Sequence, residues 1–177
     1  KPMLVPMCVK ESCCCDMSGL SLKNVTLSLI DTAKNKAVYK ELGEMLFTHF
    51  GVSGPLVLSA SAYVKKSDYR LEIDLKPALD DKKLDARLLR DFGEQHAKQI
   101  STVMRGLLPQ AMVEPVLDKA GVAIDTKISE ITKVQRAAIV NALKRFDLTV
   151  TGLRPIEEAI ITDGGVSLKE NDPKKMQ

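Results

Sequence analysis

The feature that most constrains this chain is a change of hydrophobic period that happens twice. Between Leu20 and Leu75 apolar residues tend to fall at every second position, between Asp80 and Leu143 at every third or fourth, and from Asp147 the two-residue spacing returns. Alternation lines one face of a strand, whereas spacing near 3.6 lines one face of a helix, and neither pattern suits the other backbone. The chain must therefore build a β unit, leave it for helices, and come back. An α+β fold, a small β-barrel interrupted by an α-helical array of about three helices, satisfies that order; a doubly wound sheet does not.

Leu20, Leu22, Val25, Leu27 and Leu29 predict a strand, Asp31 to Lys36 a polar turn, and Lys36 to Leu42 its hairpin partner. Met45 to Phe47 reads as a buried strand. After it, Gly51, Gly54 and Pro55 turn the chain, Ser53 is placed to cap, and Leu56, Val57, Ala60 and Val64 form a helical stripe. Tyr69 to Leu75 is the cleanest alternation. One helix is expected from Asp80 or Asp81, with Leu84, Leu88, Phe92, His96 and Ile100 on one face. A second spans Pro109 to Ala120, stopped by Gly121 and kinked or split at Pro115. A third starts at the Thr132-x-x-Gln135 capping box and turns Val134, Ala138, Ile139 and Leu143 inward. The β character from Asp147 includes Leu148, Val150 and Ala159 to Ile161. Residues 1–78 and 146–166 are thus assigned to the barrel and 79–145 to the helices, with 167–177 a charged, solvated tail.

Composition removes several function classes. The 26 basic and 23 acidic residues are interspersed, aromatic residues make up 4%, and there is no Trp, so neither a phosphate-binding field nor a base-stacking platform is expected. No apolar run approaches the roughly 20 residues that span a bilayer. Cys8, Cys13, Cys14 and Cys15 lack zinc spacing and distant disulfide partners; no metal site is expected, and reduced thiols fit a cytoplasmic setting. Gly51-Val52-Ser53 supplies half a nucleophile elbow, but Pro55 stands where its closing glycine should be, which argues against a hydrolase. The start at Lys1-Pro2-Met3, with no initiator Met or signal peptide, leads us to expect an internal piece of a longer chain.

Three stretches carry a resemblance: Leu20 to Val25, Gly43 to Pro55 (GEMLFTHFGVSGP), and Arg154-Pro155 through Ala159 to Val166. Together they resemble the bacterial aminoacetone-oxidase-like FAD-dependent oxidoreductases, flavoproteins with a barrel-plus-helices insert, over nearly the whole chain. The resemblance implies that this chain is the insert only. It would cap the substrate cavity of an NAD(P)H-linked enzyme whose FAD-binding domain, partner of the insert, lies outside these residues. The family's glycine-rich dinucleotide fingerprint does not occur in the chain, so the fragment alone is expected to bind no FAD and to be inactive. Amine oxidation and reduction of unsaturated ketone-like small molecules are both compatible with the family. The reading from another class is a stand-alone small-barrel binding module.

The loop Thr48 to Pro55 is the main candidate site. Its glycines let a backbone approach a flat ligand, and Thr48 and His49 offer donors or proton transfer, so both are candidate catalytic residues. The resemblance implies that Gly51, Ser53 and Gly54, and also Gly164 and Gly165, lie near the flavin in the intact protein. The competing readings are a strand-to-helix corner in which His49 satisfies backbone groups, and an ordinary turn at Gly164-Gly165.

Overall fold

A computed structural model describes residues 2–65, 68–155 and 161–162. Six strands close into an antiparallel barrel in the order β2 (Met7–Val9), β5 (Gly51–Ser53), β4 (Lys36–Phe47), β3 (Ser21–Asp31), β6 (Tyr69–Asp74) and β7 (Phe146–Leu153), with β7 pairing back onto β2. Two further short strands, β1 (Pro2–Met3) and β8 (Ile161–Thr162), pair with each other in a separate antiparallel ribbon.

The long hairpin β3–β4 closes on an Asx turn. The Asp31 carboxylate accepts from the backbone N–H groups of Ala33 and Lys34 at 3.0 and 3.2 Å, and Asn35 adopts a left-handed φ of 49°. Alternation then sends Leu27, Leu29, Leu71, Ile73, Phe146 and Leu148 into the barrel, where each is fully buried beside Phe47 and Met7. Helix α2 (Pro55–Ser61) packs across β4 with Leu56, Val57 and Ala60 inward.

The helical array is the connection between two neighbouring strands. β6 and β7 pair directly from Tyr69↔Val150 to Ile73↔Phe146, and between them the chain makes α3 (Asp81–Glu94), α4 (Ile100–Met104), α5 (Gln110–Ala120), a 3-10 turn at Ile128–Glu130 and α6 (Lys133–Lys144). Lys144 clasps the two ends of this excursion: its Nζ lies 2.7 Å from the Asp74 carboxylate and donates to the carbonyls of Lys76 and Leu79. The apolar residues of the helices and the barrel form one continuous core.

Several elements differ from the sequence expectations. Met45 to Phe47 is not a separate strand but the end of β4, which runs on through Gly43. Ser53 does not cap α2; it pairs with Leu46 in the ladder, and Gly54 takes the cap position without a side-chain bond. The helix from Asp81 stops at Glu94, so His96 is exposed beyond it and Ile100 opens α4 instead. Pro115 sits in an unbroken α5: the carbonyl its missing N–H leaves without a helical partner belongs to Ala111, an exposed residue in the first turn, while the ring itself is buried. Val134 is 78% exposed, being only the second residue of α6 and on its outer side. The capping box Thr132–Gln135 and the left-handed Gly121 stop form as expected. Ala159, Ile160 and the tail from 167 lie outside the described residues. Strand β2 and the short helix α1 (Cys13–Asp16) have no counterpart in the sequence expectations.

Candidate functional site

β4 and β5 are joined by a tight turn with His49 and Phe50 at its tip. Thr48 N–H donates to the Gly51 carbonyl at 2.9 Å; Gly51 N–H donates back to the Thr48 carbonyl at 3.3 Å and to the Thr48 hydroxyl at 3.2 Å. The Thr48 side chain therefore braces the turn. Two contacts from outside the hairpin hold its tip: Val9 N–H donates to the Phe50 carbonyl at 3.3 Å, and the Cys15 thiol donates to the His49 carbonyl at 2.8 Å. The imidazole of His49 is left exposed, edge-on to Phe50 with ring centroids 5.1 Å apart. From the end of β7, Arg154 reaches past β2 to place its guanidinium carbon 4.4 Å from the centre of the Phe50 ring. A fixed main chain, an exposed imidazole and an aromatic–cation stack can bind a flat polar group and exchange a proton with it.

The structure brings Thr48, His49 and Gly51 together and sets Ser53 and Gly54 at the other end of β5. The two glycines have a local explanation. A Cβ on Gly51 would stand 2.3 Å from the Met7 carbonyl oxygen, and one on Gly54, at φ +92°, would stand 2.9 Å from both Leu46 N and Met45 Cα. Their bare sides face neighbouring barrel strands. Among the described residues no glycine-rich strand-to-helix turn opens a long helix, so those residues do not fit the phosphates of FAD. Gly164 and Gly165 lie outside the described residues.

Sequence reasoning passed over Cys15, Phe50 and Arg154 as site members. Phe50 and Arg154 stand within the stretches that carry the family resemblance, but their mutual contact depends on the barrel's strand order. Cys15 carried no signal beyond its place in a run of three cysteines. All four thiols are free. A hydrogen bond from Cys14 and the charge of Lys119 hold the Cys13 thiol down to about 7, against burial and Glu11; the same bond, and burial, push Cys14 well above the ordinary thiol range. No group of three or more metal-ligating side chains occurs among the described residues, and none of the helices there is long and apolar enough to cross a membrane.

A closed antiparallel barrel whose β6–β7 connection has grown into a helical array defines a class of composite domain. Residues 1–161 match the family described as HI0933-like protein barrel and H2TH domain, and the chain belongs to that family. It is 30% identical over 98% of its length to the ribosomal RNA dihydrouridine synthase of Haemophilus influenzae, covering 41% of that protein. It is 27% identical over 88% of its length to the Escherichia coli protein of the same name, covering 37%. To the 3-dehydro-bile acid delta(4,6)-reductase of Clostridium scindens it is 20% identical over 99% of its length, covering 44%. The chain thus spans less than half the length of the curated relatives it matches, and its family is related to oxidoreductases.

Proposed function

We propose that this chain is the insert of an FAD-dependent, NAD(P)H-linked oxidoreductase that saturates a carbon–carbon double bond conjugated to a carbonyl. The observation that carries the substrate class is the shared chemistry in the relatives' names. Forming dihydrouridine and reducing a delta(4,6) bond of a 3-dehydro compound both remove unsaturation next to a carbonyl. The β1–β8 ribbon supports the insert role, because antiparallel neighbours let a barrel be spliced into a host domain at one point. FAD, held by the rest of the protein, would supply the redox chemistry when bound.

In this reading the insert covers the pocket and excludes water. His49 delivers or holds the proton at its ring nitrogen, Thr48 keeps the turn rigid, and Phe50 with Arg154 presents a flat cationic face to a planar carbonyl substrate. Gly51, Ser53 and Gly54 lie near the flavin through their backbone. The setting is cytoplasmic, which suits four free thiols. A planar ring within an RNA and a free small-ring enone share the recognised chemistry.

The test uses the intact protein with reduced nicotinamide under anaerobic conditions. Nicotinamide consumption should rise on adding uridine-containing RNA or a cyclic enone; no consumption with either, together with bleaching of the oxidised flavin by a primary amine in the absence of nicotinamide, overturns the substrate class. His49→Ala should lower turnover by about two orders of magnitude at unchanged flavin content, and unchanged kinetics would remove the residue from the mechanism.

A further inference from the structure

The stretch Leu20 to Val25, one of those that carry the family resemblance, supplies no residue to the turn at Thr48 to Gly51. Its residues Leu22 to Val25 instead form one wall of a cavity of about 200 Å³ at the junction of the barrel and the helices. The buried side chains of Leu22, Val25, Leu75, Leu107, Leu108 and Met112 make that cavity apolar. Its polar groups are Lys23, Asn24 and Lys76, and no carboxylate stands among its described lining residues. The backbone holds all three in place. β3 advances three residues from Leu22 to Val25 while β4 advances two, from Met45 to Gly43, and pairing with β6 begins only at Thr26. This bulge leaves Lys23 and Asn24 exposed and outside both ladders, an irregularity of the kind that re-aims side chains. Lys76 is pinned through its main chain: its N–H donates to the Asp74 carboxylate at 3.0 Å, and its carbonyl accepts from Lys144 Nζ at 3.0 Å. Its half-buried ammonium, like the ammonium of Lys23, has no ion-pair or hydrogen-bond partner among the described residues.

We propose that this cavity binds a small monocarboxylate with an aliphatic or single-ring body, the carboxylate set between Lys76 and Lys23 and the body against Leu107, Leu108 and Met112. Ligand sites are concave and mostly apolar with a few placed polar groups, which describes this lining. An apolar cavity of about 150 Å³ holds a benzene ring, so about 200 Å³ has room for roughly six carbons and a carboxylate. Charge complementarity fixes the head group. A half-buried charge without a partner is costly, and with no acid in the lining the anion must come from outside. Burial, and after it the charge of Arg87, hold the Lys76 ammonium below its ordinary range, and a bound carboxylate would offset both. The apolar wall fixes the body, because a bare inorganic anion gains nothing from it. The site stands apart from the turn and does not depend on the redox reading.

The experiment titrates the full-length protein, labelled with carbon-13 at its methionine methyl groups, with hexanoate, hexanol and inorganic phosphate, and follows the methyl signals by NMR. The Met112 signal, assigned by its loss in Met112→Leu, should shift saturably with hexanoate. Hexanol should bind about tenfold more weakly, since it cannot pair with the ammonium groups, and phosphate should leave the signal in place. From butanoate to hexanoate the affinity should rise about three- to fourfold per methylene. Lys76→Met keeps an unbranched chain on the apolar wall and should bring the hexanoate affinity down to that of hexanol. Lys23→Met, at an exposed position, gives a second readout and should weaken hexanoate several-fold while leaving hexanol unchanged. No saturable shift of the Met112 signal with hexanoate, a shift produced equally by hexanol, or a hexanoate affinity untouched by both lysine variants would overturn the proposal.

Discussion

Replacing Gly54 by Ala separates a glycine kept for the barrel from one kept for a ligand. At φ +92° and ψ 174°, Gly54 occupies a region that only glycine enters readily, and holding an alanine there costs about 1–3 kcal/mol. The added Cβ also meets Leu46 N and Met45 Cα at 2.9 Å. These are backbone atoms of a paired strand and cannot swing aside, so overpacking adds about 1–3 kcal/mol. The sum, about 4 kcal/mol, is a large share of the roughly 5–15 kcal/mol that stabilises an ordinary domain. With a urea dependence near 2 kcal/mol per molar, the unfolding midpoint should drop by about 2 M. Gly93 is the internal control: it lies in α3 with nothing within 4 Å of the place a Cβ would take, and Gly93→Ala should raise stability by about 0.5–1 kcal/mol. A Gly54→Ala protein that unfolds within about 1 kcal/mol of the parent, yet loses ligand binding, would refute the packing account of this glycine.

Lys144→Met should destabilise by about 3 kcal/mol in the same assay, because it leaves the Asp74 carboxylate and two carbonyls without their donor, and Asp74→Asn in that background should cost little more. Val134→Lys should change stability by less than about 0.5 kcal/mol, whereas Leu143→Ala on the inner side of the same helix should cost about 2–5 kcal/mol. Burial and a bond to Glu41 push the Tyr39 hydroxyl up to about 12, so one of the three tyrosines should ionise late in a tyrosinate absorbance titration. Since the folded value is raised above 10.0, its contribution to stability is present below pH 10 and is lost as pH climbs towards 12.

What the sequence disclosed was whatever local chemistry decides. Tyr69 to Leu75 alternates without interruption, the Thr132–Gln135 box forms both of its reciprocal bonds, and Gly121 supplies the left-handed stop. The failures share a cause, long-range packing. Gly43 and the 65% exposed Leu42 hid the continuity of β4, since nothing local says that a strand pairs on with β3 across such a site. β2 has three residues and gains its meaning only by standing between β5 and β7 to close the barrel. At the candidate site, Thr48 and His49 were legible as chemically able residues, but their roles in the turn were not. That β2 and β4 crowd Gly51 and Gly54 was not legible either, because those strands come beside them only in three dimensions.

The division of labour between insert and host is the central claim, and a flavin titration addresses it most directly. FAD is added to the 177-residue chain and, in parallel, to the full-length apoprotein, and the shift and quenching of flavin absorbance and fluorescence are followed. The account predicts stoichiometric binding by the full-length protein and none by the shorter chain. Tight, stoichiometric FAD on the shorter chain alone would contradict it, as would a full-length protein that binds no flavin.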